Sequence, residues 1–143
     1  RGLRYDPDMG LSVTLSCSAA GHAWMSTMTD AQALARVAQQ GFGLPQDFGP
    51  KAPTTEKALL TYLRAARKRG YSMINEVFAP AMTAMAAPVR IGNGTVTGVV
   101  TIAGPLVRLT EYRMQTLAPM LLETAEDVAR ASGASALFRR KTA

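Results

Sequence analysis

Cys17 and His22 are the single thiol and the single imidazole in 143 residues, and together they bound the chemistry the chain could perform. Zinc sites draw on several Cys and His at short spacings, which one of each does not supply. As nucleophile and base the two are also badly placed. Five residues apart on a helix, their side chains diverge by about 140°. Cys17 reads instead as a small buried hydrophobe. No carboxylate pair recurs at helical spacing beside a common apolar stripe. Gly41-Phe42-Gly43 is followed by Gln46, and Gly92-Asn93-Gly94 by Thr97, where a dinucleotide fingerprint needs Gly, so both are turn glycines. A nucleophile, a base and an orienting group cannot be placed together. No catalytic residue, metal ligand or cofactor is assigned, and the chain is not read as an enzyme.

Charge excludes less than it first suggests. Sixteen Lys and Arg against ten Asp and Glu leave a net charge of +6, which raises the question of nucleic-acid binding. The cations are not arranged as a footprint, however. Arg64, Arg67, Lys68 and Arg69 crowd the last turn of an expected helix, where they complement its dipole, and Arg139, Arg140 and Lys141 sit in a tail. With 48% apolar and 18% charged residues, the composition is that of one globular domain spanning 1–143. No apolar run approaches a membrane span and nothing resembles a signal peptide. With a lone Cys, that places the chain in a reducing cytoplasm. The absence of an initiator Met suggests a piece of something longer. Eight Met residues fit either core filling or an adaptable pocket.

The elements follow from periodicity and capping. A turn around Asp6 to Gly10 leads into a short strand, Leu11 to Leu15. Ser16 or Ser18 caps a short helix that carries Trp24, Met25 and Met28 on its surface. Thr29-Asp30-Ala31-Gln32 fits a capping box for a helix running to about Gln40. Gly and Pro forbid regular structure from Gly41 to Pro53. Thr54 then caps a helix with Leu59, Leu63 and Ala66 on one stripe, ended by Gly70. Strands are expected over Tyr71 to Val77, Met82 to Ile91 and Thr95 to Ala103, the last two joined by a hairpin at Gly92-Asn93-Gly94. Thr110 caps a final helix whose stripe is Met114, Leu117, Leu121, Ala125 and Val128, bent at Pro119. This order predicts an α+β fold with one antiparallel sheet layered by helices.

Thr61 to Val77 reads TYLRAARKRGYSMINEV, followed by APAMTAMAAPV and, after the hairpin, VVTIAGPLVRLTEYRMQTLAPMLLETAEDVA. Upstream, Leu15 to Ala23 reads LSCSAAGHA. These blocks cover nearly the whole chain. They resemble the C-terminal effector domain of IclR-type transcription regulators, with His22 standing where that family commonly has Lys. The resemblance implies a profilin-like or GAF-like sheet flanked by helices, a small organic acid as effector, and a homodimer or homotetramer. Operator DNA would be reached only through a winged helix-turn-helix domain that this chain lacks. The sensor domain's opening strands also look absent, which would leave a sheet edge short of partners.

Carried over position by position, the effector-binding residues would be Tyr5 and Val13 at the entrance, Ala19 and Ala20 at a helix start, Ile74, Met82 and Ala84 on two strands, and Thr101 and Ala103 on the third. A helix start offers unpaired amide donors to a carboxylate, and the small residues Ser18 to Gly21 allow close approach. Tight packing of that helix on the sheet explains the same small residues. Acid-sensing members often carry Asp, Cys and Ser at the positions of Ile74, Ala84 and Ala103. All three are apolar here, leaving Thr101, the backbone and Asn75 as polar handles. That balance points to an aromatic or branched acid. The competing reading is an oligomerisation module whose pocket is filled by its own side chains.

Overall fold

The computed structural model describes residues 12–134. Helices α1 (Ala19–Met25), α2 (Asp30–Gln40) and α3 (Glu56–Arg69) precede three strands, β1 (Ser72–Asn75), β2 (Met82–Arg90) and β3 (Val96–Pro105), and α4 (Glu111–Ala134) closes the chain. The strands pair antiparallel in the order β1-β2-β3. This is the α+β arrangement that the element order implied.

Alternation along β2 gives the sheet its two layers. Met85, Ala87 and Val89 point to one face, where Met114, Ala118, Leu121 and Ala125 of α4 cover them. Ala84 and Ala86 point to the other and join Ile74, Ala19 and Ala23 beneath α1. A third cluster of Met25, Ala33, Val37, Leu59 and Leu63 packs α1, α2 and α3 together. Ion pairs reinforce this three-helix layer. Asp30, the first residue of α2, receives Arg64 and Arg67 from α3, and those hydrogen bonds, Arg64's foremost, hold its carboxyl below the usual carboxylate range.

Several local expectations change. The part of Leu11 to Leu15 that is described is not a strand: Gln40 accepts from the Leu15 N–H at 2.8 Å and donates to the Val13 carbonyl at 2.8 Å, taking the groups a neighbouring strand would need. Leu15–Cys17 then forms a turn of 3-10 helix. Ser18 caps α1, and Met25 is wholly buried rather than on its surface. Thr55, not Thr54, caps α3, its hydroxyl accepting from the Ala58 N–H at 3.2 Å. The capping box at Thr29 and Gln32 is present. β1 stops at Asn75 because Glu76 turns the backbone to a φ of 51°. α4 continues through Pro119, and Val128 falls off its buried stripe at 40% exposure.

Chain meets chain closely at Gly21. A Cβ there would stand 2.2 Å from the Leu15 carbonyl oxygen, a backbone atom that cannot swing aside. Gly98, by contrast, has open space around it. Gly21→Ala should therefore destabilise the domain by roughly 1–3 kcal/mol despite the better helix propensity of Ala. Urea unfolding midpoints of Gly21→Ala and Gly98→Ala measure this, and equal midpoints would contradict the close contact.

Candidate functional site: the sheet face beneath α1

Strand register assembles the site. Ile74 pairs with Ala84 and Ala84 with Ala103, while Ser72 pairs with Ala86 and Ala86 with Thr101. Residues in one cross-strand row share a face, so both rows look toward α1. Met82 lies two residues before Ala84 and shares that face. Asn75 pairs with Thr83 and so belongs to the α4 side, which removes it from the polar handles expected at this site.

Helix α1 is fastened over these rows at its first residue. The buried Ser72 hydroxyl donates to the Ala19 carbonyl at 2.6 Å, and Ser18 Oγ accepts from the Gly21 N–H at 3.0 Å. The Ala19 and Ala20 N–H groups precede any helical acceptor, and among the described residues they have no hydrogen-bond partner.

The expected residues therefore divide in two. Ala19, Ile74 and Ala84 are buried by the chain itself, as are Ser18 and Gly21. Ala20 and Met82 are half-buried, and Val13, Thr101 and Ala103 are exposed. Tyr5 lies outside the described residues. The small side chains of Ser18 to Gly21 serve close packing to this extent, and open surface begins only at Ala20 and along β3. Two shallow hollows of about 410 and 340 Å³ lie elsewhere, between the end of β2 and the second half of α4, and share Arg90, Glu126 and Ala129. They are open grooves on the opposite side of the sheet.

Two groups that sequence reasoning passed over stand behind the site. Ser72 could have been found by its alternation with Ile74, but only the register shows its hydroxyl reaching α1. Phe48, from the Gly- and Pro-rich loop, packs with Phe78 at 6.2 Å between ring centroids against the same apolar cluster, a placement with no local sequence signal.

His22 and Cys17 form no catalytic pair. His22 Nε2 lies 2.8 Å from the Ser16 carbonyl and must carry the proton it donates there, which leaves buried Nδ1 as a bare acceptor. Burial outweighs that hydrogen bond and pushes the imidazole pKa from 6.5 down to about 4. Cys17 is 1% exposed, with Sγ 3.5 Å from Ser16 Oγ. Among the described residues no three metal-ligating side chains come together, and no helix is long and apolar enough to cross a membrane.

The His22 shift has a defined sign. Between pH 6.5 and 4 the unfolded chain takes up a proton that the folded chain refuses, so stability is fully present above this window and falls as pH drops through it. The loss should be about 3 kcal/mol. Unfolding free energy against pH should lose this segment of slope in His22→Gln, and parallel curves for the two proteins would refute the assignment.

The whole arrangement has counterparts among known proteins. The family model described as bacterial transcriptional regulator IclR C-terminal matches residues 2–130. The HTH-type transcriptional repressor AllR of Escherichia coli K12 is 28% identical over 128 residues, which is 90% of this chain and 46% of that protein. The chain thus spans just under half the length of the curated relatives it matches. Among solved structures, an IclR transcriptional regulator from Alicyclobacillus acidocaldarius superposes with a TM-score of 0.74 at 20% identity, covering 91% of this chain and 50% of the other. The inducer-binding domain of an Acinetobacter PobR double mutant, in complex with 3-hydroxybenzoic acid, gives 0.70 at 20% identity, covering 87% and 76%. At these identities the structural likeness speaks for the fold, and the family rests on the sequence match across nearly the whole chain. The chain belongs to the IclR family of bacterial transcriptional regulators, as its C-terminal domain.

Proposed function

We propose that this domain is the effector sensor and oligomerisation unit of a DNA-binding transcription regulator. In this reading it binds a small organic acid on the α1 face of the sheet. The observation that carries this reading is the register. It brings Ile74, Ala84, Ala103 and Thr101 onto one face, with Thr101 and Ala103 open to solvent and the unpaired amides of Ala19 and Ala20 at the start of the overlying helix. A carboxylate would take the amides and the Thr101 hydroxyl, and an apolar body would lie along Ala103, Met82 and Val13. The row carries no charge and one exposed hydroxyl, which favours an aromatic or branched acid over a polyhydroxy acid. The PobR domain bound to 3-hydroxybenzoic acid supplies a fold precedent for an aromatic ligand.

Such a ligand regulates if it binds one arrangement of a dimer or tetramer better than another. A tenfold preference shifts that equilibrium by about 1.4 kcal/mol. Operator DNA would be contacted by a separate winged helix-turn-helix domain of the full-length regulator, which sets the work of the protein in the cytoplasm. A specific observation favours the simpler alternative of an oligomerisation module without effector: Ser18, Ala19, Gly21, Ile74 and Ala84 are already covered by the chain.

Thermal melting against 3-hydroxybenzoic, benzoic, phenylacetic, isovaleric and gluconic acids separates the two. At least one aromatic or branched acid should raise the midpoint, and Thr101→Val should weaken its binding by about tenfold through loss of a charge-assisted hydrogen bond. A flat response to the whole panel by a folded sample would leave the module reading.

A further inference from the structure

The outer face of α4 is symmetric about Met120 in a way that its packing on the sheet does not require. Tyr112, Met120 and Val128 are 78%, 62% and 40% exposed, although each is a large apolar side chain. Thr116 and Thr124 lie between them and are also exposed. Each turns its hydroxyl back onto the helix, to the Tyr112 carbonyl at 3.0 Å and to the Met120 carbonyl at 2.8 Å, and needs no outside partner for it. Arg113, Thr116, Thr124 and Asp127 all lie within about 40° of Met120 around the helix, with Tyr112 and Val128 flanking the stripe. The buried stripe of Met114, Ala118, Leu121 and Ala125 occupies the opposite side.

Read outward from Met120, the two directions complement each other. Thr matches Thr four residues away, Arg113 matches Asp127 at seven, and Tyr112 matches Val128 at eight. A two-fold axis through Met120, perpendicular to the helix, sets each of these residues against its counterpart on a second, antiparallel copy. It brings Met120 against Met120, Thr116 against Thr124, and Arg113 of each copy near Asp127 of the other. An isologous interface requires such self-complementarity. An antiparallel crossing near 20° keeps the charged pairs, roughly 10 Å from the axis, within side-chain reach. In the single chain Asp127 pairs with Arg130, but both are largely exposed and such a pair holds weakly.

We propose that α4 is a homodimer surface, in which a second copy of this chain packs antiparallel across Met120 with reciprocal Arg113–Asp127 ion pairs. This assigns a surface to the self-association in the proposed function. It does not depend on the effector, because α4 covers the side of the sheet away from α1.

Sedimentation equilibrium of the 143-residue chain over roughly 1 to 200 µM tests it. The chain should dimerise, Arg113→Glu and Asp127→Lys should each weaken dimerisation by about tenfold, and the double variant should recover most of the loss by re-forming the pairs with reversed sign. Under oxidising conditions Met120→Cys should give a disulfide-linked dimer and Tyr112→Cys should not, because only residue 120 meets its own copy. Far-UV circular dichroism confirms that these surface variants fold. A wild-type chain that stays monomeric, a dimer indifferent to both charge reversals, or single variants whose losses the double variant compounds would each overturn the assignment. A dimer that forms as expected while every acid leaves the melting point unchanged would count against the effector reading alone.

Discussion

The short helix α1 is the constraint on which the rest of the site depends. Seven residues make fewer than two complete turns, too few to be stable alone, so its position is set wholly by what holds it. The Ser72 hydroxyl grips the Ala19 carbonyl at its start, and Arg67 of α3 donates to the Ser26 carbonyl just past its end. Between these anchors Gly21 lies against the Leu15 backbone with no space for a Cβ. Helix α1 is therefore fastened to the sheet at Ser72, to α3 at Arg67 and to the preceding turn at Gly21.

That anchoring divides polar from apolar work. Ser72 gives its hydroxyl to the helix, Ser18 gives its own to the cap, and the Nε2–H of His22 goes to Ser16. Among the described residues the first two amides of α1 have no hydrogen-bond partner, above a row of Ala and Ile side chains. In the proposed function such a surface would take an anionic group by hydrogen-bond direction and the remainder of a molecule by shape. The buried floor of Ile74 and Ala84 fixes the depth at which such a molecule could rest.

The two faces of the sheet have separate duties in this scheme. Aliphatic and thioether side chains from α4 fill one side, and the apolar cluster beneath α1 fills the other. β2 is shared by both, its alternate residues belonging to opposite clusters. A shift of β2 under α1 would be felt under α4.

Elements governed by local rules were legible from the sequence. The capping box at Thr29 and Gln32, the glycine stop at Gly70, the hairpin at Gly92 to Gly94 and the amphipathic final helix each follow from interactions within a few residues, which the sequence carries in full. The alternation of Ile74, Met82, Ala84, Thr101 and Ala103 was visible in the same way, and the family resemblance placed these residues together. Tertiary structure decided which of them the chain keeps for its own core and which it leaves open. It also decided that Asn75 faces the other side, that Gln40 dissolves the expected strand before α1, and that Val128 stays outside. Register and the meeting of distant segments govern these outcomes. A one-residue change in pairing moves a side chain through the sheet, and a hydrogen bond such as Ser72 to Ala19 joins residues that no local spacing connects.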